Sequence, residues 1–298
     1  MTLHIGLDLG GTNIKTAVLR GGRDDFAVES TGSVETEAVG GPEAVAANLV
    51  EAGRALIDGR SVTSVGLGVP GHFDRESGQI LLFPNLPGDW PHFPLRDRVS
   101  AGLGVETWMI NDARAFTLAE GLLGAGKGHD TVACVTLGTG VGGGLMVDGR
   151  LHRGAFGVAG EIGHQTVLPD GPLCRCGNRG CLEALVRADV LASNAGRSSP
   201  TAVFEGARNG DNRCVAAVSQ MADFLGIGLA NVVTIFGPDR LVVGGGIAEA
   251  GDLVLAPISE AVKARVTLVP TEHIDIVRAE FGRFAGAVGA ALAAATRQ

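Results

Sequence analysis

Residues 7–19, LDLGGTNIKTAVL, and residues 135–147, VTLGTGVGGGLMV, share one layout: an apolar strand, a Gly/Thr turn and a second apolar strand. Two such hairpins more than a hundred residues apart are what a duplicated architecture produces. The expected fold class is therefore α/β, with two α/β domains facing one another around a central cleft. No low-complexity linker separates the halves, and the expected boundary lies near residue 112. On this reading residues 1–112 form a small N-terminal α/β domain and residues 113–284 a large α/β domain carrying a cysteine-rich loop. The C-terminal helix, residues 285–298, returns to the first domain.

Elements extend outward from the two hairpins. LHIGLDL (3–9) reads as a buried strand, GGTNIK as the turn, and KTAVLR as its partner strand. Residues 43–57 carry apolar positions at helical spacing after a Gly-Gly-Pro entry. SVTSVGLGVPG (61–71) and VETWMIND (105–112) are strands ending in a Gly/Pro turn and in a polar pair. ARAFTLAEGLLGA (113–125) is helical. The second hairpin ends in an Asp-Gly turn, residues 201–236 are mostly helical, and DRLVVGGGI (239–247) is a strand that meets glycines at its carboxyl end.

Composition narrows the function classes. The 298 residues are 45% hydrophobic and 19% charged, as in a globular protein and unlike a disordered one. A net charge of −8 leaves no basic stripe to neutralise phosphates, so no nucleic-acid partner is expected. MTLHIGLDLGGT lacks a signal-peptide layout, and no apolar run is expected to reach the ~20 residues of a membrane span, so no membrane partner is expected. Clustered cysteines without an even framework suggest a reducing compartment, hence a cytoplasmic location.

Three glycine clusters stand at strand ends. In the first, Asp8-Leu9-Gly10-Gly11-Thr12-Asn13, glycines let backbone N–H groups approach phosphate oxygens and the Thr hydroxyl adds a donor. Asp8 is placed to hold Mg²⁺ directly or through water, and Lys15 follows on the next strand. The turn is neither a Walker A nor a Rossmann fingerprint, and alone it reads equally as a tight hairpin. The second cluster, Gly138-Thr139-Gly140-Val141-Gly142-Gly143-Gly144, has five glycines in seven positions. That surplus implies close approach of a ligand or of another backbone. The third, Gly244-Gly245-Gly246, ends a strand where open α/β sheets bind ligands. Together the three suit one nucleotide: two for phosphates, one for base and ribose.

Asn111-Asp112 ends a strand before a helix. Asp112 there suits a general base towards a substrate hydroxyl, with Asn111 fixing a neighbouring hydroxyl; spacing alone favours a helix cap. In GEIGHQTVLPDGPLCRCGNRGCLE, His164, Cys174, Cys176 and Cys181 supply the imidazole and three thiolates of a closed tetrahedral Zn²⁺ site. Four protein ligands leave no open position, so the expected zinc is structural. Gly177 and Gly180 let the loop curl so that the sulfurs converge. Glu161 and Glu183 flank the ligands, and with His164 they form a polar set suited to sugar hydroxyls.

With LDLGGTNIK, GLGVPG, PNLPG, NDA, TLGTGVGGG, AGEIGH, CRCGNRGCLE and VVGGGI in this order, the chain resembles the ROK family of sugar kinases and related regulators over nearly its whole length. The resemblance implies the actin-like ATPase (ribonuclease H-like) fold, ATP with Mg²⁺ as donor, a hexose as acceptor and structural Zn²⁺ at His164, Cys174, Cys176 and Cys181. By matching position, Asp112 is the base that takes a proton from the sugar hydroxyl. Gly71, Asn111, Glu161, His164 and Glu183 are the sugar contacts. Asp8, Gly10, Gly11, Thr12, Asn13 and Lys15 form the first phosphate motif, Gly138, Thr139 and Gly140 the second, and Gly244 and Gly245 the adenosine site. A homodimer or homotetramer follows by resemblance alone.

Two departures bear on the acceptor. Many members continue NDA with Asn, whereas here Arg114 follows, one step past the base, either altering the sugar pocket or sitting on the surface. PNLPGDWPHFPL carries an additional Asp89 before Trp90. Family repressors place a DNA-binding domain ahead of the kinase-like part, and none is expected before a first strand that already holds Asp8. The expected activity is ATP-dependent phosphorylation of a hexose, glucose to glucose 6-phosphate. The alternatives are another acceptor (N-acylhexosamine, fructose, mannose or a cyclitol), another phosphate donor, or a sugar sensor without turnover, which would have no need of Asp112.

Overall fold

The computed structural model describes residues 2–22, 25–83, 86–155 and 157–298; Pro84 and Asn85 of the PNLPG stretch lie outside the described residues. The chain divides into two compact units, Met1–Leu123 with Arg283–Gln298, and Gly124–Gly282. The division falls after the helix that begins at Asp112.

In the first unit, β1 (Leu3–Leu9), β2 (Asn13–Gly22), β3 (Asp25–Glu35), β4 (Ser64–Val69) and β7 (Thr107–Asn111) form one sheet in the order β3-β2-β1-β4-β7. β5 (His72–Phe73) and β6 (Ile80–Leu82) make a separate small hairpin. The β1, β2 and β3 pairings are antiparallel, while β1–β4 and β4–β7 are parallel. Side chains alternate across a strand, and the two faces of β1 serve different neighbours. Ile5, Leu7 and Leu9 join a core with Val45 and Leu49 of α1 (Gly41–Ile57) and Val99 of α2 (Leu95–Leu103). Gly6 faces the C-terminal helix, Ala285–Thr296. A Cβ on Gly6 would stand 1.8 Å from the Ala287 carbonyl oxygen, and one on Gly66 of β4 1.7 Å from that of Ala290. The helix thus lies almost backbone to backbone on the sheet, and its alanines Ala287, Ala290, Ala291 and Ala293 are fully buried. On its other side it meets α3 (Asp112–Leu122), where Gly289 approaches the Ala115 carbonyl.

The second unit repeats the plan. β8 (Val132–Leu137), β9 (Val141–Val147), β10 (Arg150–His152), β11 (Arg240–Gly244) and β12 (Ile276–Arg278) order as β10-β9-β8-β11-β12. The first hairpin is antiparallel and β8–β11–β12 is parallel. Each sheet therefore runs third, second, first, fourth, last in chain order, and the internal echo in the sequence is the repeated β1–β2 and β8–β9 hairpin. Asp148 and Gly149 both take positive φ, 51° and 68°, as the tight turn into β10 requires.

The core of this unit joins the sheet to α4 (Leu182–Val186), α5 (Ala188–Ala195), α6 (Pro200–Arg208), α7 (Asn212–Phe236) and α8 (Asp252–Lys263). One expectation is corrected here. α7 has 25 residues and a mean hydropathy of 1.4 over its most apolar window, enough by length and composition to cross a membrane. It is a core helix: Ala217, Val218, Met221, Leu225, Leu229 and Val233 are buried against the rest of the unit, and 56% of that window is buried. Its apolar residues follow the helical period and are interrupted by polar ones, so the sequence holds no continuous apolar run of that length.

Candidate active site

Parallel register aligns the carboxyl ends of β1, β4 and β7. Asp8 pairs with Gly68, Gly68 with Ile110, and Val69 with Asn111, so Asp8, Gly71 and Asn111-Asp112 emerge at one edge of the first unit. Asp8 is 8% exposed. Burial pushes its carboxyl up to about 7; Lys15, with Nζ 3.8 Å from Oδ2, opposes the shift, and the negative charge of Asp112 adds to it. A buried carboxylate beside a second carboxylate is a ready ligand for a cation, which would reverse both penalties.

The first glycine turn is held by a residue outside the motif. Thr36 is fully buried, its hydroxyl donates to the Gly10 carbonyl at 2.7 Å, and its N–H donates to the Thr12 carbonyl at 2.9 Å. Asn48 holds Thr36 in turn, with Nδ2 donating to its carbonyl at 3.0 Å. Sequence reading missed this clamp because β3, which delivers Thr36, is mostly exposed and gives no apolar alternation. The signal available was a Thr just past the end of a mostly exposed strand.

The polar pair resolves into two distinct placements. Asn111 is the N-cap of α3, its Oδ1 accepting from the N–H groups of Ala113 and Arg114. Its Nδ2 donates to the carbonyl of Gly71, a residue at φ 78°. Asp112 is the first helical residue and is exposed, with Oδ1 accepting from Ala113 N at 2.8 Å. The capping role that spacing suggested for the pair thus falls on Asn111. Arg114 is only 4% exposed, so it does not sit on the surface. Asp89 is exposed, while Trp90 is buried against Phe83 and Phe93.

In the second unit, the two later glycine clusters meet at the carboxyl ends of β8 and β11, which are parallel neighbours. Gly245, at φ 84°, packs on Leu137, and Ile247 N donates to the Leu137 carbonyl at 3.1 Å. At Gly138 and Gly246 the space a Cβ would occupy is open, leaving room for an approaching ligand. The remaining glycines have another purpose. A Cβ on Gly143 would lie 2.9 Å from the Gly160 carbonyl oxygen, and Gly160 packs on Gly144. The surplus lets β9 carry the Gly160–His164 segment in direct backbone contact, which fixes where Glu161 and His164 begin.

The cysteine loop draws its donor atoms together. One ligand atom each from His164, Cys174, Cys176 and Cys181 lies within 4.8 Å of all the others. Cys176 Sγ to Cys181 Sγ is 3.7 Å, and Cys174 Sγ to His164 Nδ1 is 3.7 Å. Bonds of about 2.3 Å from zinc to sulfur give tetrahedron edges of about 3.8 Å, so this donor set fits Zn²⁺. Burial pushes the Cys181 thiol up to about 12 and also raises Cys174, whereas the backbone N–H of Asn178 lowers Cys176. To act together as thiolates these sulfurs would need a cation beside them. Gly177 and Gly180 both take positive φ, the curl the loop requires.

His164 turns Nδ1 to the sulfurs and Nε2 towards Glu161, whose Oε2 is 3.9 Å away. Glu183 is placed differently from a purely acceptor-facing group. Its Oε2 accepts from Val141 N at 2.9 Å and fills the space beside Gly140, while Oε1 lies 3.8 Å from Cys174 Sγ. One carboxylate therefore ties the cysteine loop to the second glycine turn.

Similarity to known proteins extends over nearly the whole chain. The family model described as ROK family matches residues 4–297. The chain is 36% identical to a glucokinase of Streptomyces coelicolor, covering 98% of this chain and 97% of that one. It is 34% identical to a glucokinase of Thermotoga maritima, covering 96% and 95%. Among solved structures, a ROK family glucokinase from Streptomyces griseus in complex with glucose and AMPPNP is 35% identical, with a TM-score of 0.84 and 99% of each chain covered. The architecture is the actin-like ATPase fold of these neighbours.

Proposed function

The chain belongs to the ROK family, and from that premise we propose that it is an ATP-dependent sugar kinase whose acceptor is glucose, phosphorylated to glucose 6-phosphate. Likeness to glucokinases over nearly the full length supports the acceptor, and the glucose and AMPPNP held by the Streptomyces griseus relative support the pair of substrates. The observation that carries the mechanism is the division of labour at the end of β7: Asn111 caps α3, and Asp112 stands exposed as the general base.

Phosphoryl transfer to an alcohol asks a protein for positioning, charge neutralisation and a proton acceptor. Asp112 accepts the proton of the attacking hydroxyl as the oxygen–phosphorus bond forms and ADP departs. Asn111 and Gly71, joined by their hydrogen bond, with Glu161, His164 and Glu183, bind the other sugar hydroxyls. Gly10, Gly11, Thr12, Asn13 and Lys15 form the first phosphate motif. Gly138, Thr139 and Gly140 form the second, and Gly244 and Gly245 receive the adenosine. Asp8 would hold Mg²⁺, which neutralises charge developing on the phosphates. His164, Cys174, Cys176 and Cys181 would hold a structural Zn²⁺, which fixes the loop carrying the acceptor carboxylates.

The test is sugar-dependent ADP release from Mg-ATP over a hexose, hexosamine and cyclitol panel, with wild type and Asp112→Ala. Glucose should give the highest kcat/KM, and the Asp112→Ala chain should lose at least about a hundredfold in kcat, the usual scale of a general base. Sugar binding without turnover in wild type would replace the kinase by a sensor.

A further inference from the structure

Arg114 is a buried cation that no step above uses. Its guanidinium Nη1 donates to Asn111 Oδ1 at 3.2 Å. Two backbone donors converge on the same oxygen, Ala113 N at 3.1 Å and Arg114 N at 3.3 Å. The other end of the carboxamide, Nδ2, donates to the Gly71 carbonyl at 3.2 Å. A reversed amide would set its NH₂ against three donors and its oxygen against a carbonyl, so chemistry permits one orientation.

In that orientation Asn111 has a defined vocabulary. A carbonyl oxygen offers two lone pairs, and three donors saturate it. The Nδ2 group keeps one further N–H. Asn111 thus presents a single donor to a ligand and no acceptor. The bond from Arg114 is charge-assisted, which makes it about twice as strong as a neutral one, and hydrogen bonds in series polarise one another. The two backbone bonds, at 3.1 and 3.3 Å, are neutral and belong to the helix cap, so they do not depend on the side chain at position 114.

We propose that Arg114 is a positioning residue for acceptor specificity: it locks and polarises Asn111 as a pure donor, so that the sugar hydroxyl opposite is read through its oxygen. This rests on the reading of Asn111 as an acceptor contact. That hydroxyl keeps its own proton for another partner. Replacing it by fluorine therefore retains what Asn111 reads, and replacing it by hydrogen removes it.

Acceptor affinity is measured by calorimetry without nucleotide, so binding is scored whether or not the chain turns over. The proteins are wild type, Arg114→Met, Asn111→Ser (which keeps a capping hydroxyl) and the double variant. Arg114→Met should weaken glucose binding by a few-fold, since only the polarisation and orientation of Asn111, and not the whole Arg114 bond, enter the binding difference, with ATP affinity unchanged. The double variant should bind like Asn111→Ser alone, since a residue acting only through another adds nothing once its partner is gone. Multiplying losses, or unchanged affinity in Arg114→Met, would overturn the proposal. Should Arg114→Met fail to fold, wild type decides: at one ring position the deoxyfluoro sugar should bind several-fold better than the deoxy sugar, on the order of one neutral hydrogen bond. Equal losses at every position would overturn it. Failure of wild type to bind any sugar would instead remove the acceptor reading of Asn111 itself.

Discussion

Replacing Asp8 by Asn should stabilise the metal-free protein while abolishing turnover. The Asp8 carboxyl titrates at 3.8 when unfolded and at about 7 in the fold, chiefly because burial disfavours its charge. A raised acid means that the folded state binds the extra proton, so stability falls as pH rises through this interval. Below pH 3.8 both states are protonated and Asp8 costs nothing; above about 7 both are ionised and the full penalty is felt. Some three pH units at 1.36 kcal/mol each make about 4 kcal/mol. Urea denaturation of wild type and Asp8→Asn in Mg²⁺-free buffer, from pH 4 to pH 8.5, measures it. The gain in Asp8→Asn should approach about 4 kcal/mol at the alkaline end and shrink towards zero at the acid end. A gain independent of pH, or a loss at pH 8, would refute the argument that desolvation of Asp8 is a standing cost that the bound cation offsets.

Two other perturbations test the scaffold. Cys176→Ala should lose bound zinc, read by atomic absorption, and with it both sugar and nucleotide affinity, because Glu183 joins the cysteine loop to the Gly138–Gly140 turn; a zinc-free variant with wild-type KM for both substrates would contradict this coupling. Gly66→Ala places a Cβ 1.7 Å from the Ala290 carbonyl, and overpacking of this kind costs about 1–3 kcal/mol or more, seen as a lower urea midpoint for the first unit.

What the sequence disclosed was what short-range patterning encodes. The repeated hairpin announces itself because strand, turn and strand are contiguous, and the cysteine loop because its donors lie within eighteen residues. Features that depend on partners distant in sequence were hidden. The burial of Arg114 comes from the packing of α3, a helix in contact with the distant C-terminal helix. Thr36 acts as a clamp only through its bonds to Gly10 and Thr12, which lie in the turn between β1 and β2, far from it in sequence. The glycine surplus in residues 138–144 suggested either a ligand or a backbone, and only contact with Gly160 separated the glycines that leave open space from those that carry a neighbouring segment. The helical period of α7 is legible in sequence, whereas its bilayer-spanning length and apolarity are masked by polar residues spread among the apolar ones.

The C-terminal helix has a consequence for the order of events during synthesis. Domains ordinarily fold as they leave the ribosome, amino-terminal first. Here the sheet of β1, β4 and β7 waits for residues 283–298, which are made after the whole of Gly124–Gly282. Until then Gly6 and Gly66 present bare backbone where a helix will lie, with apolar neighbours uncovered. The second unit, continuous in sequence, is free to fold first. The sheet that carries Asp8 therefore gains its covering helix only after the whole of the second unit has been synthesised.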